Sequence, residues 1–405
     1  MTRVLISGGG IGGLTAALSL ERQGLEPVVL ERAPRLEALG AGIQISPNAC
    51  AVLAELDLLD PLAARAFEPA ALQIEDGRRG ATLARIALRP AARQRYGHPY
   101  LNVHRGDLHE VLVDAVASRA PSSVHLDADV VGVRQDADGV HATLADGRAF
   151  HGDVLIAADG VHSTIRNAVL GSDSARFTGH VAYRMVVPRG AFGTHAPPPT
   201  ITLRLGPHGH VVSYWVRGGE LYNVVAIIES DWSDEGWRIP ADVDEVRLAF
   251  RRWDPALRRI FDAALDVHKW ALLDRPVPDT WAIGRIALLG DACHAMLPYL
   301  AQGAAMAIED AAVLAEALAL ETDASRALRT YEAVRKPRVA RVHAEATTNA
   351  RRFHVDGLIA RTTRNRALRV MARGDAGLER FDWLYQPRRP DLRLRPIARQ
   401  TRDAG

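Results

Sequence analysis

The chain has 405 residues, 48% hydrophobic and 24% charged, an ordinary composition for a folded protein with two or three compact regions. Its 50 Lys and Arg residues against 48 Asp and Glu give a net charge of +2, which argues against nucleic acid or an anionic membrane as a partner. Two cysteines, Cys50 and Cys293, are too few for a disulfide framework. Without a signal-peptide pattern or an apolar stretch of about twenty residues, we expect a cytoplasmic protein with no membrane span.

The first part of the chain predicts a strand, a helix and a second strand, the basic unit of a parallel sheet. These elements are expected over residues 4–7, 15–23 and 27–30. Further helices are predicted over 49–59 and 108–119, and further strands over 124–135, 140–144, 148–150 and 154–157.

From about residue 181 the apolar residues alternate, which predicts an antiparallel sheet. Its strands are expected over 200–205, 210–216 and 221–228, with Gly218-Gly219 as a two-residue hairpin loop between the last two. A buried strand over 286–289 and an alanine-rich helix over 303–320 then return to the first pattern. Residues 325–373 predict further Arg-rich helix, and 387–405 a partly loose segment.

The pattern as a whole predicts an α/β fold with a discontinuous Rossmann-like domain around an inserted sheet. We expect the dinucleotide domain to comprise 1–180, which also lends some strands to the substrate domain, and 281–350. An antiparallel-sheet substrate domain would occupy 181–280, and a C-terminal helical region 351–405. The Arg-rich end is interpreted as a solvated face or dimer contact rather than a nucleic-acid site, because it has no recognition motif.

The first motif is Gly8-Gly9-Gly10-Ile11-Gly12-Gly13, which matches G-x-G-x-x-G between a strand and a helix. In such a motif Gly8 permits the tight turn, Gly10 lets a pyrophosphate approach the backbone, and Gly13 lets the helix pack closely. Glu31 ends the second strand, where a carboxylate can bond both ribose hydroxyls. The combination predicts an adenine dinucleotide and leaves FAD and NAD open, the alternative being an ordinary strand-to-helix turn.

Two later motifs each deliver a carboxylate at the end of a predicted strand. Asp159 ends Asp153-Val154-Leu155-Ile156-Ala157-Ala158-Asp159-Gly160, although Asp-Gly is also common in plain turns. Asp291 follows the strand at 286–289 and could bond a polyol chain. Past Pro298, the helix starting at Gly303 has unpaired N–H groups that suit the flavin edge where negative charge gathers on reduction. The alternative is a strand, loop and helix with no ligand.

In this order and at these separations, the three motifs resemble those of the flavin monooxygenases that include para-hydroxybenzoate hydroxylase, the class A FAD-dependent aromatic hydroxylases. The resemblance covers about residues 3–350. It is strongest to the branch of salicylate hydroxylase and 3-hydroxybenzoate 6-hydroxylase. The segments similar to that branch are Gly40-Ala41-Gly42-Ile43-Gln44 with Pro47-Asn48, His104-Arg105-Gly106-Asp107-Leu108, Met306-Ala307-Ile308-Glu309-Asp310 and Phe381-Asp382-Trp383-Leu384-Tyr385.

The resemblance implies FAD as cofactor and NADH or NADPH as co-substrate. Oxygen would be transferred through a flavin C4a-hydroperoxide to a small aromatic acid of the salicylate or hydroxybenzoate type. The cofactor contacts it implies are Glu31 at the ribose, Arg105 at the FAD backbone, Asp159 near the pyrophosphate, Asp291 at the ribityl chain, and backbone N–H groups of Gly303, Ala304 and Ala305 at the flavin ring. Cofactor contacts are also expected from Gly8, Gly10, Gly12, Gly13, Arg32, Gly42 and Val130.

Hydroxylation of a phenol needs a general base, because removing the phenol proton makes the ring electron-rich. Alternation along 210–216 places His210 and Tyr214 on one face of the sheet. The predicted hairpin puts Tyr214 opposite Asn223, which would share that face. In the resembling branch a His at this position serves as the base. We therefore predict His210 and Tyr214 as catalytic residues, and Asn223 and Pro298 as pocket residues.

Several alternatives stay open at this point. A lone His on a strand is usually structural, and Trp215 departs from the Pro that branch members often carry. An NAD-dependent dehydrogenase or a flavin-binding protein without turnover would also use the first motif. Within the family, the substrate could instead be a hydroxylated N-heterocycle such as 6-hydroxynicotinate, or a natural-product phenol. No residue spacing suggests a metal, and the sequence does not distinguish a monomer from a homodimer.

Overall fold

The computed structural model describes residues 1–37, 40, 42–171, 175–233, 239–264, 266–371 and 376–387. Numbered in chain order, its strands are β1 (Arg3–Ser7), β2 (Glu26–Leu30), β3 (Gly42–Ile45), β4 (Ala71–Asp76), β5 (Thr82–Ala87), β6 (Leu101–His104), β7 (Val124–His125), β8 (Val130–Gln135), β9 (Val140–Leu144), β10 (Ala149–Gly152), β11 (Val154–Ala157), β12 (Arg176–Pro188), β13 (Ile201–Gly206), β14 (Gly209–Val216), β15 (Leu221–Glu229), β16 (Ile239–Pro240), β17 (Val267–Asp274), β18 (Ala282–Ile283) and β19 (Ile286–Leu288). Its helices are α1 (Ile11–Arg22), α2 (Pro47–Glu55), α3 (Leu59–Ala63), α4 (Ala91–Tyr96), α5 (Arg105–Arg119), α6 (Thr164–Leu170), α7 (Val243–Ala249), α8 (Pro255–Asp262), α9 (Asp291–His294), α10 (Gly303–Leu320), α11 (Ala324–Phe353), α12 (Leu358–Met371), α13 (Ala376–Glu379) and α14 (Asp382–Tyr385).

A six-stranded sheet with the order β18-β19-β11-β1-β2-β7 forms the first layer. Its strands are parallel except for β18, which pairs antiparallel with β19 at the edge. β1 reads as an unbroken apolar run because Val4, Leu5 and Ile6 are fully buried, as in a parallel sheet covered on both faces. Since β1, β11 and β19 are parallel neighbours, their carboxyl ends meet at one edge of the sheet.

An eight-stranded sheet with the order β16-β17-β12-β15-β14-β13-β4-β5 forms the second layer. Its pairs are antiparallel except for β13 with β4, which are parallel. The predicted α/β fold with an inserted sheet and C-terminal helices is confirmed, while the exact domain boundaries stay a prediction. Among the helices of the described chain, none combines the length and hydrophobicity that a transmembrane span requires.

The hairpin between β14 and β15 has the predicted register and a different loop. Tyr214 lies opposite Asn223, and Val216 opposite Leu221 is the last pair before the turn. The loop therefore spans four residues, 217–220, and the two-residue loop was wrong. Arg217 (φ 49°) and Gly218 (φ 61°) adopt left-handed conformations inside a short 3₁₀ turn, which ends the pairing one step early. The strand register is the predicted one because the predicted loop, 218–219, and the observed loop, 217–220, have the same centre.

Three predicted elements were too long, and each is interrupted near a residue with positive φ. Asp127 (φ 50°) separates β7 from β8, which belong to different sheets. Asp57 (φ 59°) lies between α2 and α3, and Gly357 (φ 83°) lies between α11 and α12. A backbone that enters the left-handed region leaves the regular hydrogen-bond ladder, so the element ends there. The loose segment predicted over 387–405 falls outside the described residues, except for Pro387.

A buried ion network joins α10 and α11 to the loop that follows β19. The Nε of Arg335 donates to Oδ1 of Asp310 at 2.7 Å, and Arg335 also pairs with Glu309. The other oxygen of Asp310 lies 2.6 Å from Nε2 of His294 and accepts from the Gly290 N–H at 3.2 Å. Since the Asp310 side chain is fully buried, its charge depends on these partners.

Replacing Arg335 with Met should destabilise the folded protein by about 3–5 kcal/mol, because two buried carboxylates lose their shared cation. Urea denaturation followed by circular dichroism measures the change. The matched control is Arg326→Ala on the same helix, whose exposed ion pair with Glu321 should contribute less than about 1 kcal/mol. Equal losses in the two variants would contradict the role given to the buried network.

Candidate active site

The three sequence motifs converge at the edge where β1, β11 and β19 end. A Cβ on Gly8 would lie 2.5 Å from the carbonyl oxygen of Ala158, so the first motif abuts the second. A Cβ on Gly12 would lie 2.7 Å from Cδ2 of Leu289, so the first motif also abuts the third. Segments that are about 150 and 280 residues away along the chain therefore border one glycine turn.

The glycines of that turn differ in what surrounds them. A Cβ on Gly13 would lie only 2.0 Å from the Gly8 carbonyl oxygen, so only glycine permits this packing of α1 against the turn. A Cβ on Gly10 would meet nothing within 4 Å, so its backbone faces open space at the start of α1. Unpaired N–H groups at that helix terminus suit a phosphate group. His109, which the sequence reasoning missed, steadies the turn through Nε2, 2.9 Å from the Gly9 carbonyl oxygen.

Glu31 is fixed beside the same turn by two backbone groups. Its Oε2 accepts from the Gly9 N–H at 2.6 Å and its Oε1 from the Ala33 N–H at 2.9 Å. A carboxylate has about four lone-pair sites, so it can still accept from ribose hydroxyls. Arg32 beside it is exposed, whereas Val130 is buried at the start of β8.

Asp159 presents an oxygen without a partner. Its Oδ2 accepts from the Ile165 N–H at 3.4 Å, but its Oδ1 is buried and has no hydrogen bond among the described residues. Burial raises the pKa of this carboxyl group. Buried polar atoms are normally hydrogen-bonded, so an orphaned oxygen next to Gly8 indicates a missing ligand donor.

Asp291 and the N-terminus of α10 lie side by side. A Cβ on Gly303 would be 4.0 Å from Oδ1 of Asp291, which is an exposed side chain. No side chain caps α10, which opens with Gly303, Ala304 and Ala305. The open face at Gly10, the orphaned Asp159 oxygen and this uncapped terminus together fit an FAD molecule, because they offer acceptor carboxylates and backbone N–H donors at one edge of the sheet.

A hydrogen bond joins β3, at the end of the loop that contains Gly40, to β15 of the second sheet. The Gly42 N–H donates to Oδ1 of Asn223 at 2.7 Å, and a Cβ on Gly42 would lie 2.7 Å from Cε2 of Tyr214. The Nδ2 of Asn223 is buried and has no partner among the described residues, so it remains a donor for a ligand. Arg105 borders the same loop, since a Cβ on Gly40 would be 3.0 Å from its Cδ. Ala41 lies outside the described residues.

His210 is a buried imidazole on the face of the sheet that carries Tyr214 and Asn223. Only 3% of its surface is exposed, and its ring packs 4.9 Å from that of Tyr299. Pro298, which is itself exposed, opens the 3₁₀ turn that brings Tyr299 there. Burial holds the pKa of His210 well below its usual range, so the ring is neutral near pH 7. Burial also raises the pKa of the Tyr214 hydroxyl, which therefore keeps its proton.

Arg184 is a second feature that the sequence reasoning missed. It lies on β12 opposite Val225, which places it on the same face as Asn223 two residues away. Its guanidinium carbon sits 4.0 Å from the ring centroid of Trp270, and its Nε has no hydrogen-bond partner among the described residues. Burial lowers its pKa to about 10. The signal that could have revealed it is a single Arg inside the otherwise hydrophobic stretch 181–187 of β12.

Gly10→Ala should leave the fold intact and weaken FAD binding by on the order of tenfold or more, because the added methyl group enters the space that a phosphate would occupy. Thermal unfolding and the flavin content after gel filtration measure the two effects. Gly190→Ala is the matched control, since a Cβ there also meets nothing within 4 Å and the site is elsewhere. Retention of FAD at the normal affinity by Gly10→Ala would contradict the assigned phosphate position.

Comparison with known proteins agrees with this geometry. Residues 1–346 match the family described as FAD binding domain. The 3-amino-4-hydroxybenzoate 2-monooxygenase of Streptomyces platensis is 38% identical over 385 residues, which cover 95% of each protein. The 3-hydroxybenzoate 6-hydroxylase of Klebsiella oxytoca is 36% identical over 95% of this chain and 96% of that protein. A substrate complex of salicylate hydroxylase has the same fold, with a TM-score of 0.78 and 26% identity over 95% of this chain and 98% of that one. The chain therefore belongs to the FAD-binding family of flavin-dependent aromatic hydroxylases.

Proposed function

We propose that this enzyme hydroxylates a small aromatic acid of the hydroxybenzoate type, using FAD, NADH or NADPH, and O₂. The observation that carries the proposal is that two groups share one face of the sheet, a buried neutral imidazole at His210 and a half-buried guanidinium at Arg184, which has no carboxylate partner among the described residues. Both lie on the face of the sheet that meets the cofactor loop at Gly42. A hydroxybenzoate has a partner for both side chains: its phenol can give a proton to His210, and its carboxylate can pair with Arg184.

The cofactor would be held by the residues that converge at the sheet edge. These are the glycine turn at Gly8–Gly13, Glu31, Arg105, Asp159, Asp291 and the N–H groups of residues 303–305. Reduced FAD supplies the activated oxygen, while the chain supplies position, a dry pocket and proton transfer. The two buried free cysteines and the need for reduced nicotinamide support a cytoplasmic location.

Arg184 supports an acidic substrate for an electrostatic reason. A half-buried cation with no carboxylate partner among the described residues is costly, and its lowered pKa reflects the loss of hydration. A substrate carboxylate would supply the missing charge through a charge-assisted hydrogen bond. The orphaned Nδ2 of Asn223 offers a second, neutral donor nearby. A hydroxylated N-heterocycle that carries a carboxylate, such as 6-hydroxynicotinate, would satisfy the same contacts.

His210 supports deprotonation of the phenol because its imidazole is neutral and shielded from solvent. A neutral imidazole can accept the phenol proton, and the resulting phenolate ring is electron-rich enough for attack by an electrophilic oxygen. Tyr214 keeps its proton and can donate to a substrate oxygen. His210 and Tyr214 lie on the same face of β14, so the strand fixes their separation.

Arg184→Met should raise KM for the preferred acid about 10- to 100-fold, as expected for loss of a charge-assisted hydrogen bond. The assay is NADH consumption with a panel of hydroxylated aromatic acids and their carboxamides, with products identified by mass. The carboxamides should be almost insensitive to the change. Arg189→Met, which removes another Arg placed over a Trp ring, is the matched control. Failure of every panel member to stimulate NADH oxidation by the unaltered enzyme would instead favour a flavin protein without turnover.

His210→Ala should slow hydroxylation about 10²- to 10⁴-fold, the usual contribution of a general base, while FAD reduction changes little. Stopped-flow absorbance of the flavin separates the two steps. His195→Ala is the control, because it removes a His whose side chain is exposed to solvent. Equal slowing of both steps in His210→Ala would reject its assignment as the base.

A further inference from the structure

Because His210 is buried, a substrate proton that it accepts needs a route to solvent. With 3% of its surface exposed, the ring cannot hand a proton directly to water. Its lowered pKa means that it cannot store the proton as an imidazolium either. If His210 accepts the phenol proton, as the proposed function requires, that proton needs a path out of the pocket.

A chain of side chains leads from His210 to the surface. Its Nδ1 lies 2.8 Å from Nε2 of His354, a residue 144 positions away that is 5% exposed. The Nδ1 of His354 lies 3.4 Å from Oε1 of Glu229, which is within ion-pair distance but is not aligned as a hydrogen bond, and the Glu229 side chain is 42% exposed. The second oxygen of Glu229 lies 2.7 Å from Nδ1 of His208, which is 62% exposed. The path therefore runs from a dry imidazole to solvent in three contacts.

We propose that His354 is a positioning and relay residue that carries the substrate proton between His210 and Glu229. The phenol O–H bond breaks as an N–H bond forms at Nε2 of His210. The proton on Nδ1 of His210 moves to Nε2 of His354, and the proton on Nδ1 of His354 moves to the Glu229 carboxylate and on to water. Each ring is neutral before and after and has exchanged one tautomer for the other. The reverse sequence returns a proton to the product.

The surroundings of His354 favour such a neutral relay over a stored charge. His180 packs against it with ring centroids 4.9 Å apart, and Tyr299 lies 5.9 Å away. Burial lowers the pKa of His354 to about 4, and Glu229 only partly opposes this. The charged groups beyond it are Glu229 and His208, with Asp356 3.4 Å from His208. A proton that reaches His354 is therefore passed on to the carboxylate.

The test compares His354→Ala with His354→Gln in the FAD-loaded enzyme. A glutamine can keep the hydrogen bond to His210 but cannot pass a proton, so a merely structural role predicts normal activity for Gln and the relay predicts loss. The probe is the panel acid with the fastest turnover. Rapid mixing with a pH-indicator dye in weak buffer gives the rate of proton release on binding, and flavin absorbance gives the rates of reduction and hydroxylation.

We expect both variants to slow proton release and hydroxylation at least about tenfold, with FAD reduction and substrate Kd unchanged. Added imidazole should restore His354→Ala, whose cavity can admit it, and not His354→Gln. Glu229→Gln should make proton release depend on buffer concentration. His343→Ala, which removes a His of α11 that pairs with a carboxylate, should behave like the unaltered enzyme.

Two results would overturn the relay. The first is normal proton release in His354→Gln while His210→Ala is slow, which would leave the proposed base intact and remove only the relay. The second is a metal ion bound by His180, Glu229 and His354, whose possible metal-ligand atoms lie within 4.8 Å of one another. Stoichiometric metal in the purified enzyme, with hydroxylation lost on EDTA treatment, would mean that a cation occupies the Nδ1 that the relay needs. If His210→Ala itself has no effect, the proposed function fails at the base.

Discussion

The parallel alignment of β1, β11 and β19 is the constraint on which the site depends. Parallel strands end at the same edge, so each of the three distant motifs is delivered to one surface by its own strand. The contact of Gly8 with Ala158 and of Gly12 with Leu289 leaves no room for a side chain between them. The buried pairing of Asp310 with Arg335 and His294 then fixes the third loop in place.

The second sheet carries the side chains that are proposed to contact the substrate. A hydrogen bond from Gly42 of β3 to Asn223 holds the pocket face of the second sheet against the cofactor loop. That face combines a neutral imidazole with a guanidinium that has no carboxylate partner among the described residues, in a largely apolar setting. Low polarity strengthens the pull of a buried cation on a carboxylate and keeps an imidazole available as a base. Burial of these groups lowers the stability of the folded protein, but it also shifts the pKa of His210 in the direction that the proposed reaction needs.

The sequence predicted the elements whose signal is local. The glycine fingerprint, the strand before Asp159, the helix starting at Gly303 and the pairing of Tyr214 with Asn223 all follow from spacing within about thirty residues. The breaks near Asp57 and Asp127 were missed, because Asp is enriched at left-handed positions but far more often occupies ordinary ones, so a single Asp in a regular pattern is a weak signal. Arg184 and His354 were missed for a different reason. Their importance lies in what they face, and the partner of His354 is 144 residues distant.

His354 follows the last residue of α11, and the family match ends before it, at residue 346. His354, which would receive the proton from His210, therefore lies outside the matched residues, whereas His210 and Glu229 lie inside them. A substitution at position 354 would therefore alter the release of the substrate proton without changing any residue that borders the glycine turn.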